Sequence, residues 1–451
     1  MPSGASGGRG FNPALIRSYD LRGVVGETLT TVDARGLGLA FAAYARERGA
    51  RRLAVARDGR LSSPELAAAL VDGLLAGGAD VTDLGLGPTP MVHWAARKLG
   101  LDGGIMVTGS HNPPDENGFK LGLSGEPIWG ADLFALMSSV TQPTHPGQLR
   151  NVDMRDTFAN FLADAANGAP PLSVVWDCGH GATGPVLARV VAHLPGHHRL
   201  LFADPDGTFL AHHPDPSDPD NLADLQAAVL ADHADLGIAF DGDGDRIGVV
   251  GPDGRILWPD QLILLLAHGV LAANPGAAIV ADVKSSAALF DGIAALGGRT
   301  VMCPAGYVRV RAAMLAEAAP LAGELSGHIW FAERGADDAL YVAMRLLRAL
   351  GGMSLPAFMN ALPPLVATPE IRFAAADAAR TVARVAARTP GAVTVDGVRA
   401  ATADGWWLLR ASGTEAKLTA RVEARDPVAL ATTRAALAAT LATEGITLPP
   451  A

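Results

Sequence analysis

Leu53-Ala-Val-Ala-Arg-Asp58, followed by the helical run Pro64 to Ala76 and a turn at Gly77-Gly78, sets the reading of the whole chain. A short apolar run ending on Asp, then a segment of helical period, then a glycine turn, predicts strand, helix and return. The plan recurs twice. Val174-Val-Trp-Asp177 precedes Gly184 to Leu194 and the turn Pro195-Gly196. Ala278-Ile-Val-Ala-Asp282 precedes Ser285 to Leu296 and Gly297-Gly298. Strand-helix-strand units of this length imply right-handed crossovers and mostly parallel, covered sheets. Their similarity points to an internal repeat of α/β domains.

Outward from these repeats, Pro- and Gly-rich turns at Pro143 to Gly147, Gly251-Pro-Asp-Gly254 and Pro363-Pro364 through Pro369 mark boundaries. Domains are expected at 1–147, 148–251, 252–365 and 366–451. The last has a different texture: a helix Asp377 to Arg388, then strands around Val393 to Val398 and Trp406 to Leu409. A strand Leu418 to Ala424 and a helix Pro427 to Ala442 complete it. The expected fold is therefore α/β: three similar mixed-sheet domains and a smaller α+β C-terminal domain, with the active site in the central cleft.

Of the 451 residues 49% are hydrophobic and 18% charged, enough apolar material for several packed cores. The net charge of −10 argues against a general nucleic-acid binder, which needs a basic field. A local cluster of Arg and Lys can still hold a small anion within a Debye length. Met1 to Gly10 lacks an apolar core and does not read as a secretory signal. Leu262 to Ala273 is the longest apolar run, short of the ~20 residues a membrane helix needs, and reads as a buried helix. Two distant cysteines, Cys178 and Cys303, fit neither a disulfide framework nor a thiolate metal site. A cytoplasmic protein, without nucleic-acid or membrane partners, is expected.

Four constellations carry chemistry. Thr108-Gly-Ser-His-Asn-Pro113 follows the strand Gly104 to Val107 and presents an exposed Ser110 hydroxyl at a loop tip, where ligands of α/β sheets collect. Serine needs help to act as a nucleophile, and His111 is placed to orient it. By itself the stretch is also an ordinary turn. Asp241-Gly-Asp-Gly-Asp-Arg246, between strands Leu236 to Phe240 and Ile247 to Val250, is more demanding. Carboxylates at alternate positions, with glycines between them, repel one another unless a cation joins them. Open coordination positions suit Mg²⁺ bound jointly with phosphate oxygens. An EF-hand is excluded, because Arg246 and Pro252 stand where its Gly and Glu would be.

Gly323-Glu-Leu-Ser-Gly-His328 offers Glu324, Ser326 and His328 to sugar hydroxyls, or is a satisfied turn. Arg410-Ala-Ser-Gly-Thr-Glu415 offers a guanidinium, two hydroxyls and a backbone nest as a phosphate cradle, without the lysine of a nucleotide P-loop. One motif falls in each expected domain. Together they supply a phosphoryl carrier, its metal, a polyol reader and a second phosphate site.

The ordered motifs resemble those of the α-D-phosphohexomutase family, and within it the phosphomannomutase/phosphoglucomutase branch. The resemblance runs from Tyr19-Asp-Leu-Arg-Gly23 through Asn117-Gly-Phe-Lys120, the stretch His212 to Asn221 and Lys284 to the last motif. It implies an isomerase in which Ser110 is the phosphoserine, with Mg²⁺ held by Asp241, Asp243, Asp245 and a Ser110 phosphate oxygen. It assigns Arg22, Lys120, Arg246 and His111 to the catalytic centre. Lys284, Tyr307, Glu324, Ser326 and His328, with Arg410, Ser412, Gly413 and Thr414, are assigned to the substrate. The implied reaction interconverts hexose 1-phosphate and hexose 6-phosphate, of mannose, glucose or both, through a hexose 1,6-bisphosphate. Alternatives are a phosphoglucosamine mutase and a Mg²⁺-dependent sugar-phosphate phosphatase. A monomer or homodimer is expected. Two departures stand out: Tyr307 follows Gly306 where relatives often carry His, and the last motif reads Ser-Gly-Thr where some dual-specificity relatives have Ser-Asn-Thr. Leu325 favours the glucose/mannose type.

Overall fold

Thr30 opens the helix Thr31–Glu47 with a capping box: its hydroxyl accepts from the Asp33 N–H, and Asp33 accepts from the Thr30 N–H at 2.9 Å. This helix lies against Ser63–Ala76 at glycine contacts. A Cβ on Gly38 would fall 2.3 Å from the Leu70 carbonyl oxygen, and one on Gly73 2.1 Å from that of Arg35. Larger residues would force the helices apart. Their buried faces, including Phe41, Leu70 and Leu74, close a core with Leu53, Val55, Ile105, Val107 and Phe119. The computed structural model describes residues 11–136, 145–411 and 417–450.

Those core residues lie on a mixed, seven-stranded sheet. Its order is Leu21–Val24, Glu116–Leu123, Gly103–Val107, Arg52–Arg57, Asp80–Leu86 and Leu149–Asn151, with Glu126–Pro127 beside Glu116–Leu123. Arg52–Arg57 is parallel to both its neighbours, so its C-terminal end and that of Gly103–Val107 share one edge. A second sheet has the order Ile256–Leu257, Ile247–Val250, Leu236–Phe240, Leu172–Asp177 and Gly196–Leu201. Leu236–Phe240 runs parallel to Leu172–Asp177 but antiparallel to Ile247–Val250. The aspartate loop makes that reversal.

The chain divides into two compact units, Met1–Leu262 with Ser326–Pro356, and Ile263–Leu325 with Ala357–Ala451. Both sheets above belong to the first. In the second, Ala278–Asp282 pairs in parallel with Arg299–Cys303 and Leu321–Gly323, alongside helices Ala287–Ala295 and Tyr307–Ala316. The unit ends in an antiparallel sheet, Val366–Ala367, Lys417–Ala424, Gly405–Ala411 and Val398–Ala401, with Ile371–Ala374 also on Lys417–Ala424. Helices Ala378–Arg388 and Pro427–Ala442 supply Val385, Leu437 and Leu441 to its core.

A buried polar joint ties the two parts of this unit together. Glu423 accepts from Ser286 Oγ at 2.9 Å, the Ala287 N–H at 3.1 Å and Trp406 Nε1 at 2.8 Å. Arg399 Nη1 donates to the carbonyls of Val283 and Ser285, both at 2.7 Å, with its guanidinium 3.7 Å from the Trp406 ring centroid. Every one of these buried charges has a partner, as burial requires.

The α/β repeats and the α+β end are therefore present. Several expected edges move, and the helix expected over Gly184 to Leu194 ends at Val191. Ser286 is the cap of its helix, accepting from the Ala288 N–H, so the helix starts at Ala287. The expected strand Val393 to Val398 is instead a turn at Asp396-Gly397 with Gly397 at φ 92°, and the strand is Val398–Ala401. Leu262 to Ala273 lies in the helix Pro259–Ala273. Among the described residues no helix is long and apolar enough to cross a membrane.

Candidate active site

Asp58 and Thr108 follow adjacent parallel strands and meet at their common end. Asp58 Oδ2 accepts from Thr108 Oγ1 at 2.7 Å and from the Gly109 N–H at 3.1 Å. Thr108 Oγ1 in turn accepts from the Ser110 N–H at 2.7 Å. Ser110 adopts φ 50°, a left-handed conformation uncommon outside glycine. The sequence suggested an exposed hydroxyl; instead Ser110 is only 2% exposed, because the aspartate loop covers it. Its Oγ donates to Asp241 Oδ2 at 2.7 Å and lies 3.2 Å from His111 Nδ1. Burial, with Arg246, Arg22 and Lys120 nearby, pushes the His111 pKa well below its ordinary value and keeps the ring neutral.

The aspartate loop is built on Asp241. Its Oδ1 accepts from the N–H groups of Gly244 and Asp245 at 3.0 Å and Arg246 at 3.2 Å. Gly242 lets the loop lie on the serine, since a Cβ there would fall 2.4 Å from the Ser110 carbonyl oxygen. Oxygens of Asp241, Asp243 and Asp245 all lie within 4.8 Å of one another. Lys120 Nζ donates to Asp243 Oδ2 at 2.7 Å and to Asp245 Oδ2, and Thr89 Oγ1 adds a 2.5 Å bond to Asp243. Even so, Asp243 Oδ1 and Asp245 Oδ1 are buried without a hydrogen-bond partner. Two carboxylate oxygens without hydrogen-bond partners, in a triad of acids this close together, fit a hard divalent cation.

The electrostatics agree. Burial, then the charges of Asp245 and Asp243, push Asp241 well above the usual carboxylate range. Burial would raise Asp243 too, but the Lys120 ammonium and the bonds from Lys120 and Thr89 hold it well below that range. Lys120 is itself raised: burial opposes its charge, and Asp243 and Asp245 outweigh burial.

Strand register brings in the other cations. Arg22 sits opposite Gly118, two residues before Lys120 on the next strand. Arg22 Nε donates to Asp20 Oδ2 at 2.9 Å, while its Nη1 is buried with no hydrogen-bond partner. Arg246 Nε donates to His328 Nε2 at 3.0 Å, so that nitrogen is an acceptor. The His328 proton therefore sits on Nδ1, 2.7 Å from Asp337 Oδ2. Gly327, at φ 97°, turns the chain so that Arg246 and His328 form a backbone bridge.

In the second unit, Glu324 Oε1 accepts from the Gly306 N–H at 2.5 Å, just before Tyr307 opens its helix. Lys284 Nζ lies 3.8 Å from Asp282 Oδ2. Arg410 donates to Asp396 Oδ2 from Nε at 2.9 Å and Nη2 at 2.7 Å, and the same oxygen takes the Ala305 N–H at 3.0 Å. Ser412, Gly413 and Thr414 lie outside the described residues.

The structure thus gathers Ser110, His111, Arg22, Lys120, the three aspartates, Arg246 and His328 in one unit. The motif 323–328 is divided: Glu324 belongs to the second unit, Ser326 and His328 to the first. Sequence reasoning missed Asp58, Arg60, Thr89 and Asp337. Asp58-Gly-Arg60 could have been found, as it directly follows a parallel strand. Thr89 and Asp337 carry no local signal.

Profiles of phosphoglucomutase/phosphomannomutase match along the chain: alpha/beta/alpha domain I at residues 14–144, domain II at 154–254, domain III at 258–365 and the C-terminal domain at 370–440. The chain belongs to the phosphoglucomutase/phosphomannomutase family. Within the family it is 41% identical to a phosphomannomutase/phosphoglucomutase of Pseudomonas aeruginosa over 424 residues, 91% of this chain and 92% of that protein. It is 39% identical to a phosphoglucomutase of Neisseria meningitidis serogroup A over 432 residues, 92% of this chain and 94% of the other. The crystal structure of a family protein from Burkholderia thailandensis superposes with a TM-score of 0.92 at 40% identity, covering 98% of this chain and 100% of that one. The four-domain α/β architecture and the family read from the motifs are both borne out.

Proposed function

We propose that this family member is a phosphohexomutase, an isomerase that interconverts the 1- and 6-phosphates of glucose, mannose or both. The observation that carries the reading is the 2.7 Å contact from Ser110 Oγ to an aspartate triad with two unpartnered oxygens. Phosphoryl transfer needs positioning and charge neutralisation more than covalent machinery. Asp241, Asp243 and Asp245, with an oxygen of phosphorylated Ser110, would hold Mg²⁺, whose charge offsets that of the phosphoryl group.

The chain's own residues do the rest. Arg22 Nη1, buried without a partner, is a ready donor for a phosphoryl oxygen. Lys120 and Arg246 add positive charge, and neutral His111 orients the Ser110 oxygen. The phosphoryl group passes from Ser110 Oγ to the free sugar hydroxyl, whose proton ends on the serine oxygen that is released. The resulting 1,6-bisphosphate returns its other phosphate to Ser110 Oγ, and the serine proton goes to the sugar oxygen set free. Glu324, Ser326, His328, Lys284 and Tyr307 read the sugar, and Arg410 with Ser412, Gly413 and Thr414 holds the phosphate not in transfer. That clamp favours a mutase over a phosphatase, which has less need of a second phosphate site. A reducing, cytoplasmic setting suits Cys178 and Cys303, free buried thiols whose pKa burial pushes up.

A coupled assay of glucose 1-phosphate, mannose 1-phosphate and glucosamine 1-phosphate, primed with a hexose 1,6-bisphosphate, tests the reading. Turnover of glucose or mannose substrates is expected. Turnover of the amino sugar alone would overturn the substrate assignment, and release of inorganic phosphate without isomerisation would overturn the reaction.

A further inference from the structure

Arg60 is buried, at 1% exposure, yet belongs to none of the four motifs. Its guanidinium serves one loop through four main-chain carbonyls. Nη2 donates to Ser110 at 2.8 Å and Asn112 at 2.6 Å, and Nη1 to Pro113 at 2.5 Å and Glu116 at 2.9 Å. Asp58 balances the charge, its Oδ2 3.3 Å from Arg60 Nε. The Phe209 ring centroid lies 5.0 Å from the guanidinium carbon. On the loop side Gly109 makes room, since a Cβ there would fall 2.3 Å from that carbon.

An ordinary surface turn leaves its carbonyls to water and needs no buried cation. Here a planar fork of fixed geometry takes water's place. The residue it locks is the one in an unfavourable conformation. Ser110 at φ 50° persists only where its surroundings over-determine it. Its N–H is held by Thr108 Oγ1 and its carbonyl by Arg60, so both ends of the residue are pinned.

We propose that Arg60 is the positioning residue of the phosphoserine loop, whose fork sets the left-handed backbone at Ser110 and thereby aims Oγ at the aspartate loop and the sugar. The assignment rests on Ser110 being the phosphoryl carrier. The hydrogen bonds that the Arg60 guanidinium donates go to main-chain carbonyls and not to Ser110 Oγ, so it acts on the serine through the backbone.

Arg60→Lys tests it by keeping the charge while replacing the fork with a point donor. Wild type and variant are incubated with glucose 1,6-bisphosphate, and phosphate on Ser110 is measured by intact mass and peptide mapping. Transfer to glucose 1-phosphate is then followed in a single turnover, with sugar-phosphate affinity taken from its concentration dependence and folding from thermal melts. A folded variant is expected, with transfer slowed about 100-fold, as an ångström-scale misplacement costs. Affinity should stay within a factor of about 3, because the sugar's own contacts are untouched. If wild type transfers and Arg60→Lys transfers equally fast, the assignment of Arg60 fails alone. A variant that unfolds, or that loses affinity and transfer together, makes Arg60 a general support of the fold and also overturns it. A wild type that never carries phosphate on Ser110 overturns both this inference and the mutase reading.

Discussion

The Ser110 hydroxyl donates to Asp241 Oδ2 at 2.7 Å, joining the loop after Gly103–Val107 to the loop after Leu236–Phe240. The contact links the residue that would carry phosphate to a carboxylate held well above its usual range by burial, Asp245 and Asp243. Such an arrangement calls for a cation.

Metal removal follows directly. Chelation is expected to abolish mutase turnover, and added Mg²⁺ to restore it and raise the thermal midpoint. Asp243→Asn should raise the Mg²⁺ concentration needed for half-maximal activity by about 10- to 100-fold. A Mg²⁺ titration of activity and of melting temperature checks this. Undiminished wild-type turnover in chelator would contradict it.

Arg410 is held on Asp396, which is itself fixed by the Ala305 N–H. A charge-assisted bond to phosphate contributes about 1.5–3 kcal/mol, so Arg410→Ala should raise KM about 10- to 100-fold. The effect on kcat should be smaller if, as proposed, the clamp holds the phosphate that stays on the sugar. Steady-state kinetics separate the two, and a loss confined to kcat would refute the clamp.

His212 supplies a pH test of stability. Burial lowers its pKa, but the 2.9 Å bond to Asp177 and that residue's charge outweigh burial, and the net shift is upward. The folded chain thus binds this proton more tightly than the unfolded chain. The gain is complete below the unfolded value of about 6.5 and is lost as pH rises through the higher folded value. The thermal midpoint should fall more between about pH 6 and pH 8 in wild type than in His212→Gln. Equal slopes would contradict the coupling.

Gly242 tests the contact between loops by size alone. A methyl group there would lie 2.4 Å from the Ser110 carbonyl oxygen, so one loop must retreat. Gly242→Ala is expected to cost about 1–3 kcal/mol in stability by denaturant titration and to slow turnover. Wild-type behaviour in both measurements would show that the loops are not packed as described.

The α/β plan was legible because it is written locally. Leu53, Val55 and the residues of Ala278–Asp282 are continuous apolar strands, and each is followed by a helix and a glycine turn. The aspartate triad was legible for the same reason, as its repulsion is evident in six residues. The Ser110 conformation was not. It depends on Arg60, 50 positions earlier, and on Asp241, 131 positions later. Asp337 was hidden likewise, since its role comes from the His328 ring and the donor on its far side. The strand placed at Val393 failed because Asp396-Gly397 forms a turn there, and the Asp396 carboxylate is taken by Arg410.

Rapid-quench labelling is the most direct test of the central claim. The enzyme is mixed with hexose 1,6-bisphosphate labelled in its phosphates, the labelled peptide is mapped, and unlabelled hexose monophosphate is added. Label is predicted on Ser110, leaving for the sugar at a rate no slower than turnover, and absent from Ser110→Ala, which should have no measurable mutase activity. Isomerisation that continues in Ser110→Ala, or in wild type with no label on Ser110, would contradict the account.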